Sequence, residues 1–258
     1  MGKKKDYGLD QFYTNSDIAQ LCLDTIDVKD YDMVVEPSAG YGAFYNLIDH
    51  PNKVGIDIDP KDNKIIQQDF LTWNDFKYWP PPKVLTIGNP PFGRQGSLAM
   101  KFIHHASIFS DTIAFILPRG FKKRSVYDRV PLDFWKTFEL EIPRHSFTYN
   151  GEPFDVPCVW MVYEKQPKKR KKEKKLTPTT FEFTTQENAN VSIRRVGVNA
   201  GLTFPHTEVS TPSHYFIKVD NVDEFVNKVN KIKFSDGDTT GPRSISKNEL
   251  ISEIENAI

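Results

Sequence analysis

Asp32-Met33-Val34-Val35-Glu36-Pro37-Ser38-Ala39-Gly40-Tyr41-Gly42 joins an apolar run to a glycine turn, and the fold class follows from that junction. Met33-Val34-Val35 is apolar on both faces, the pattern of a central parallel strand covered by helices, so a strand is predicted over Asp32–Pro37. Glycine lets the backbone turn sharply at the strand end and come close to a ligand. Downstream the pattern alternates: a helix from about Gly42 to Asp49, strands Lys53–Asp59, Lys64–Phe70 and Val84–Asn89, a helix over Ser97–Phe109, and strand Thr112–Leu117. Upstream, Asn15 or Ser16 caps a helix whose Ile18, Leu21, Cys22 and Ile26 share one face. A doubly wound α/β sheet is the expected architecture. Beyond Phe121 the expectation is a helical segment around Val130–Thr137, then strands Phe138–Pro143 and Val156–Glu164. Those two, joined by the loop Arg144–Asp155, form an antiparallel hairpin at the sheet edge.

At 258 residues the chain holds one α/β core and a small appendage. The expected division is a catalytic domain over 1–165, a basic linker over 166–178 and a small α+β module over 179–258. In the module, strands are read at Thr179–Thr184, Val191–Val196 and Tyr215–Val219, a turn at Gly197–Gly201, and helices at Val222–Ile232 and Ile245–Ile258. Charge balances at 34 basic and 34 acidic residues, yet Lys168–Lys175 alone holds seven basic residues and one acidic. That tract repels itself and has little to bury, so it reads as a phosphate-binding arm, a nuclear import signal or a solvated linker. Cys22 and Cys158 are too few for a disulfide framework or a cysteine zinc site, which places the chain in a reducing interior, cytoplasm or nucleus. Neither a secretory signal, a lipid anchor nor a membrane span is read.

Two further stretches carry chemistry. Gly55-Ile56-Asp57-Ile58-Asp59 puts an acid about fifteen to twenty residues past the glycine turn, where dinucleotide-type folds accept ribose hydroxyls. The glycine turn has Glu36 beside it and no lysine, which disfavours a phosphate-rich cofactor and suits one with an amine and a sulfonium. Asn89-Pro90-Pro91-Phe92 ends its strand at the carboxyl edge of the sheet. The prolines stiffen the segment and leave carbonyls free to accept. The Asn89 side-chain oxygen and the Pro90 carbonyl can hold both hydrogens of an aromatic amine and localise its lone pair toward an incoming methyl group. Phe92 offers a face for an extruded base, a contact worth roughly 1–3 kcal/mol in single-strand binders.

From Gln11 to Lys165 the chain resembles the class I, S-adenosylmethionine-dependent amino-methyltransferases, in particular the N6-adenine enzymes with an NPPF tetrad, here Asn89-Pro90-Pro91-Phe92. The resemblance implies a Rossmann-like domain with S-adenosylmethionine as cofactor. Gln11-Phe12-Tyr13-Thr14 would lie over its methionine end, with Thr14 on the carboxylate. Glu36, Gly40 and Gly42 would line the methionine moiety, Asp57 would accept the ribose hydroxyls in preference to Asp59, and Asp69 and Phe70 would meet the adenine. Asn89 stands where several relatives carry aspartate. Phe92 in place of tyrosine points toward nucleic-acid adenine and away from the protein-glutamine enzymes. The reaction implied is N6-adenine methylation in nucleic acid, with DNA slightly favoured by the appended module. RNA methylation, protein-glutamine methylation and an inactive nucleic-acid-binding subunit are the alternatives.

On the target side, Arg119, Lys122, Lys123 and Arg124 follow a strand end, where they can meet phosphates. Phe147 and Tyr149 correspond roughly to the place where relatives set a second aromatic against the target base. His104 and His105 read as structural, and the chemistry requires no metal. Arg194, Arg195, Asn199, His206 and His214 in the module can contact base edges or phosphates, in no spacing that matches a known reader.

Overall fold

The structure is a computed structural model that describes residues 12–75, 82–149, 151–234 and 243–257. Gln11 and Ile258 lie outside the described residues. The chain divides after Lys172 into two units. The first runs β1 (Tyr13–Thr14), α1 (Ser16–Leu23), β2 (Met33–Pro37), β3 (Lys53–Asp57), β4 (Ile66–Gln67), β5 (Val84–Gly88), α2 (Ser97–Ala106), β6 (Thr112–Pro118), α3 (Arg124–Tyr127), β7 (Phe134–Glu141), β8 (Phe147–Tyr149), β9 (Glu152–Phe154) and β10 (Cys158–Lys165).

Seven of these strands form one sheet in the order β4-β3-β2-β5-β6-β10-β7. β2 pairs in parallel with β3 and β5, and β5 with β6, whereas β10 is antiparallel to both its neighbours. Side chains alternate between two cores, as the two-residue strand period requires. Ile113, Phe115 and Leu117 of β6 join Val84, Met161 and the α2 residues Ala99, Met100 and Ile103 on one face. Ala114 and Ile116 join Leu85, Trp160 and the α1 residues Ile18, Ala19 and Cys22 on the other. The sheet is therefore doubly wound, with helices on both faces and one antiparallel strand near its edge. From β2 the chain steps outward to β3 and β4, then returns to β5 on the opposite side of β2. That reversal opens a crevice beyond the carboxyl ends of β2 and β5, where open α/β sheets hold ligands.

Several local expectations change. No α-helix forms over Gly42–Asp49, which is a run of turns. Two helical-type bonds remain, from the Asn46 N–H to Gly42 and from the Ile48 N–H to Phe44, but other backbone groups go elsewhere: the Tyr45 N–H donates to the Glu36 carboxylate at 2.6 Å, and the Lys53 ammonium donates to the carbonyls of Tyr45 and Ile48, both at 2.8 Å. The strand read over Lys64–Phe70 contracts to β4, because the Asp69 side chain caps a 3-10 turn over Phe70–Thr72. Instead of a helix around Val130–Thr137, β7 begins at Phe134, where aromatic and β-branched side chains pair with β10. β7 and β10 are antiparallel as expected, but β10 lies inside the sheet and, of the two, β7 alone is an edge strand. The loop read over Arg144–Asp155 contains the β8–β9 hairpin, which pairs with β1 to make a separate three-stranded sheet. Asn15 stands at the N-cap position of α1 with no capping bond from its side chain.

The second unit contains β11 (Glu182–Phe183), β12 (Val191–Arg194), β13 (Thr203–Phe204), β14 (His214–Lys218), α4 (Val222–Val229) and α5 (Lys247–Ala257). Its antiparallel sheet has the order β11-β14-β12-β13. Val191, Ile193 and Ile217 pack against Phe225 and Val229 of α4 and Leu250, Ile251 and Ile254 of α5. β13 is an addition to the strands read from the sequence.

The basic tract is not uniformly solvated. Arg170 is only 5% exposed within the first unit. Its guanidinium donates to the carbonyls of Phe134 at 2.6 Å and Val130 at 2.9 Å, and lies 3.8 Å from the Tyr127 ring centre. These bonds satisfy carbonyls that precede and open the edge strand, and stacking on an aromatic face suits arginine in particular. Arg170→Ala is expected to destabilise this unit by roughly 2–4 kcal/mol, since it strands buried carbonyls. Replacing the exposed Lys171 should change stability by less than about 0.5 kcal/mol. Parallel denaturant titrations of the two variants measure the contrast.

Candidate active site

Ser38 follows β2 with φ at +54°, an unusual backbone for a residue with a side chain. Its hydroxyl meets the Pro37 carbonyl at 2.5 Å and the Asn89 carbonyl at 3.3 Å, joining the two strand ends across the crevice. Gly40, at φ +53°, carries the turn onward; a β-carbon there would stand 3.0 Å from the Tyr13 ring. Asp57 holds the turn from the end of β3. One carboxylate oxygen accepts the Gly40 N–H at 2.7 Å and the other accepts the Asp59 N–H at 2.7 Å. Asp59 itself pairs with Lys61 at 2.5 Å.

Glu36 is 3% exposed and passes over Gly88, where a β-carbon would lie 3.2 Å from its Cγ. Burial pushes the Glu36 carboxyl up to about 8, against the lowering effect of the Tyr45 N–H. A carboxyl whose folded value lies above its unfolded one keeps its proton in the native state while the unfolded chain has released it. Stability should therefore fall as pH rises from about 4.5 to about 8, by on the order of 3–5 kcal/mol from this group. Glu36→Gln removes the ionisation, so the difference between its melting profile and that of the native chain over pH 4.5–8.5 isolates the effect.

Asn89 stands at the end of β5. Its Nδ2 donates to the Thr14 hydroxyl oxygen at 3.1 Å and toward the Phe12 carbonyl at 3.4 Å. Its Oδ1 is buried and accepts from no group among the described residues. A buried acceptor without a donor costs about 1–3 kcal/mol, and such atoms are rare in native structures.

These residues surround a cavity of about 260 Å³. Glu36, Asp57, Asp59 and Asp69 line it, together with the Ser38–Tyr41 turn, Tyr13 and Thr14. Phe70, Leu98 and Phe102 give it an apolar wall, and Asn89 and Pro91 stand at its boundary. No lysine, arginine or histidine is among the lining residues. Phe70 is almost wholly buried beside Trp73 and Phe102, and the Asp69 carboxylate accepts the Leu71 N–H at 2.9 Å.

Gly42, Pro90 and Phe92 are not lining residues. Phe92 is half-buried against both cores, and its carbonyl accepts the Leu98 and Ala99 N–H groups at the start of α2. Phe147 is 1% exposed and serves as a core side chain, so its ring is not presented to a target in this structure. Tyr149 is half-buried and joins Phe12 and Phe154 in an aromatic cluster with centroids 4.7–5.8 Å apart. Lys122 is engaged with Glu141 at 2.6 Å and Glu139 at 3.1 Å, and the Glu141 hydrogen bond leads in raising its pKa. Arg124 bonds Asp128 at 2.9 Å and the Lys171 carbonyl, Arg119 lies 3.7 Å from Glu141, and Lys123 is half-buried. The basic loop is thus largely occupied by its own partners. His104 and His105 each face a backbone carbonyl, those of Arg129 and Trp73. Within the second unit, Arg195 lies over the Tyr215 ring, Arg194 donates to the Val196 carbonyl, Asn199 is exposed, His206 packs on Phe204, and His214 is buried with Nδ1 near the Ser210 carbonyl. Among the described residues no cluster of three His, Cys, Asp or Glu side chains is placed to hold a metal, and no helix is long and apolar enough to cross a membrane.

Ser38, Tyr41, Gln68, Leu98 and Phe102 join the cavity without having been singled out from the sequence. Tyr41 had a signal, being an aromatic inside the glycine turn; the others depend on how loops fold back over the sheet edge.

No protein-family model and no curated protein matches the chain. Among solved structures it is similar to a protein of Pyrococcus horikoshii described provisionally as an RNA methyltransferase, at 19% identity over 64% of this chain and 91% of that one, with a TM-score of 0.46. A Thermoplasma acidophilum protein is 19% identical over 65% of this chain and 99% of its own, at 0.43. Magnesium protoporphyrin IX methyltransferase from Synechocystis, solved with bound S-adenosylmethionine, is 12% identical over 58% and 77%, at 0.38. The fold assignment rests on the sheet order itself.

Proposed function

We propose that this chain is an S-adenosylmethionine-dependent methyltransferase that forms N6-methyladenine in nucleic acid. The observation that carries the reading is the buried Oδ1 of Asn89, without a partner among the described residues, at the boundary of an acid-lined cavity. An exocyclic amine supplies the donor which that oxygen lacks.

The cavity suits the cofactor. The carboxylates of Asp57, Asp59 and Asp69, with no basic group among the lining residues, disfavour phosphates and favour a ligand carrying an ammonium and a sulfonium. Asp57, already holding the glycine turn, keeps lone pairs for ribose hydroxyls, and Asp69 and Phe70 bound the place of the adenine. When bound, S-adenosylmethionine supplies an electrophilic methyl group. The chain supplies position: Asn89 Oδ1 and the Pro90 carbonyl accept the two hydrogens of the target amine, and the prolines hold both acceptors rigid. A strong base is unnecessary, because the nitrogen becomes acidic only after it has been alkylated, and water then takes the proton.

The separate second unit supports DNA as the polymer, by likeness of layout to adenine methyltransferases with an appended recognition region. The test is incubation with cofactor labelled in the methyl group and separate pools of duplex DNA, single-stranded DNA and RNA, followed by nucleoside analysis. N6-methyldeoxyadenosine is expected. Label in N6-methyladenosine moves the substrate to RNA, whereas N4-methylcytosine alone or a labelled peptide overturns the assignment.

A further inference from the structure

Thr14 and Asn89 lie 75 positions apart, yet the short strand β1 brings the threonine hydroxyl to the asparagine amide. The amide has two chemically different ends on one planar group, and only its oxygen can accept a hydrogen from an amine. Something must therefore decide which end faces the target. The Phe12 carbonyl, a pure acceptor, receives Nδ2 at 3.4 Å, while the Thr14 oxygen receives it at the shorter 3.1 Å.

β1 is itself held in place by a different part of the chain. Tyr13 and Thr14 pair with Thr148 and Phe147 of β8. The Asn15 side chain donates to the His145 carbonyl at 3.0 Å and accepts from the Thr148 hydroxyl at 3.1 Å, and the Phe12 ring stacks on Phe154 at 4.7 Å. Thr14 is therefore paired to β8 and not to β5, at whose end Asn89 stands.

We propose that Thr14 is a positioning residue: the Phe12 carbonyl, which can only accept, sets which end of the amide faces inward, and Thr14, the closer partner of Nδ2, holds Asn89 Oδ1 toward the amine to be methylated and so governs the rate without touching the target. This inference rests on the amino-methyltransferase reading above. It differs from a role confined to the cofactor carboxylate, in which Thr14 would govern affinity alone.

Thr14→Val keeps the β-branched shape and deletes the acceptor, and Thr14→Ser restores it. At saturating cofactor, Thr14→Val is expected to lower kcat about tenfold to a hundredfold, the scale of a misplaced reacting group. The KM for nucleic acid and the melting temperature should stay near those of the native chain, and Thr14→Ser should recover most of kcat. In protein labelled with 15N-asparagine, the Asn89 side-chain amide resonances should shift in the valine variant and return in the serine variant. An unchanged kcat in Thr14→Val, an effect only on the KM for cofactor, or an Asn89 amide signal indifferent to the substitution would overturn the proposal while leaving the methyltransferase reading intact. A native chain that transfers methyl to no nucleic acid or peptide would reject that reading and this one with it.

Discussion

Asn89→Ala is expected to lower methyl transfer about a hundredfold to a thousandfold at saturating cofactor, while cofactor affinity changes by less than about threefold. The size follows from what the side chain contributes. Oδ1 is an acceptor whose burial cost is already met in folding, so it needs no rearrangement when the amine's charge develops. Alanine removes that acceptor, and the remaining Pro90 carbonyl can bind only one of the two amine hydrogens. Thr14 and Phe12 lose a donor they can replace with water, so the glycine turn between β2 and β3 should persist. Single-turnover rates with labelled cofactor, beside calorimetric titration with S-adenosylhomocysteine, separate the two quantities. Near-native turnover in the variant would exclude the mechanism.

Asp57→Ala should produce the opposite split. Its carboxylate accepts the N–H groups of Gly40 and Asp59, each at 2.7 Å, and its loss strands two backbone donors at the turn as well as removing the proposed ribose acceptor. Hydrogen bonds to a charged group contribute roughly 1.5–3 kcal/mol each. Cofactor affinity is therefore expected to fall about a hundredfold to a thousandfold, with turnover largely recovered at high cofactor. Asp57→Asn keeps an oxygen for the Gly40 N–H but not for both donors, and should lie between. The same titration with S-adenosylhomocysteine measures all three proteins; an affinity for the alanine variant within about threefold of native would remove Asp57 from the cofactor site.

The two substitutions also separate what was readable in the chain from what was not. Asp57 and the glycine turn were legible because strand-end chemistry is local: an apolar run, a residue free to adopt positive φ, and an acid at the end of the next strand. Asn89 was legible for the same reason, since an asparagine followed by two prolines cannot continue a strand. The turns over Gly42–Asp49 were not. A helical pattern was overridden there by the Glu36 carboxylate and the Lys53 ammonium, which take backbone groups a helix would use. β7 was read as partly helical because a short apolar segment carries no clear period until its partner strand is known.

Composition misled most at the tract Lys168–Lys175. A run of like charges reads as solvated, and most of it is, but one guanidinium among seven cations finds four carbonyls and a tyrosine face. Arg170 differs locally from its neighbours only as the one arginine of the tract, a side chain suited to an aromatic face; its burial was selected by the geometry of the strand and turn against which it lies.

Periodicity, turn residues and strand-end chemistry act over a few positions, so the doubly wound sheet, its glycine turn and the Asn89 tetrad follow from the residue order alone. The meeting of Thr14 with Asn89 and the burial of Arg170 join residues between 36 and 75 positions apart. Contacts at such separations depend on which elements pack together and at what register, information that is distributed over the whole core and appears only when it has assembled.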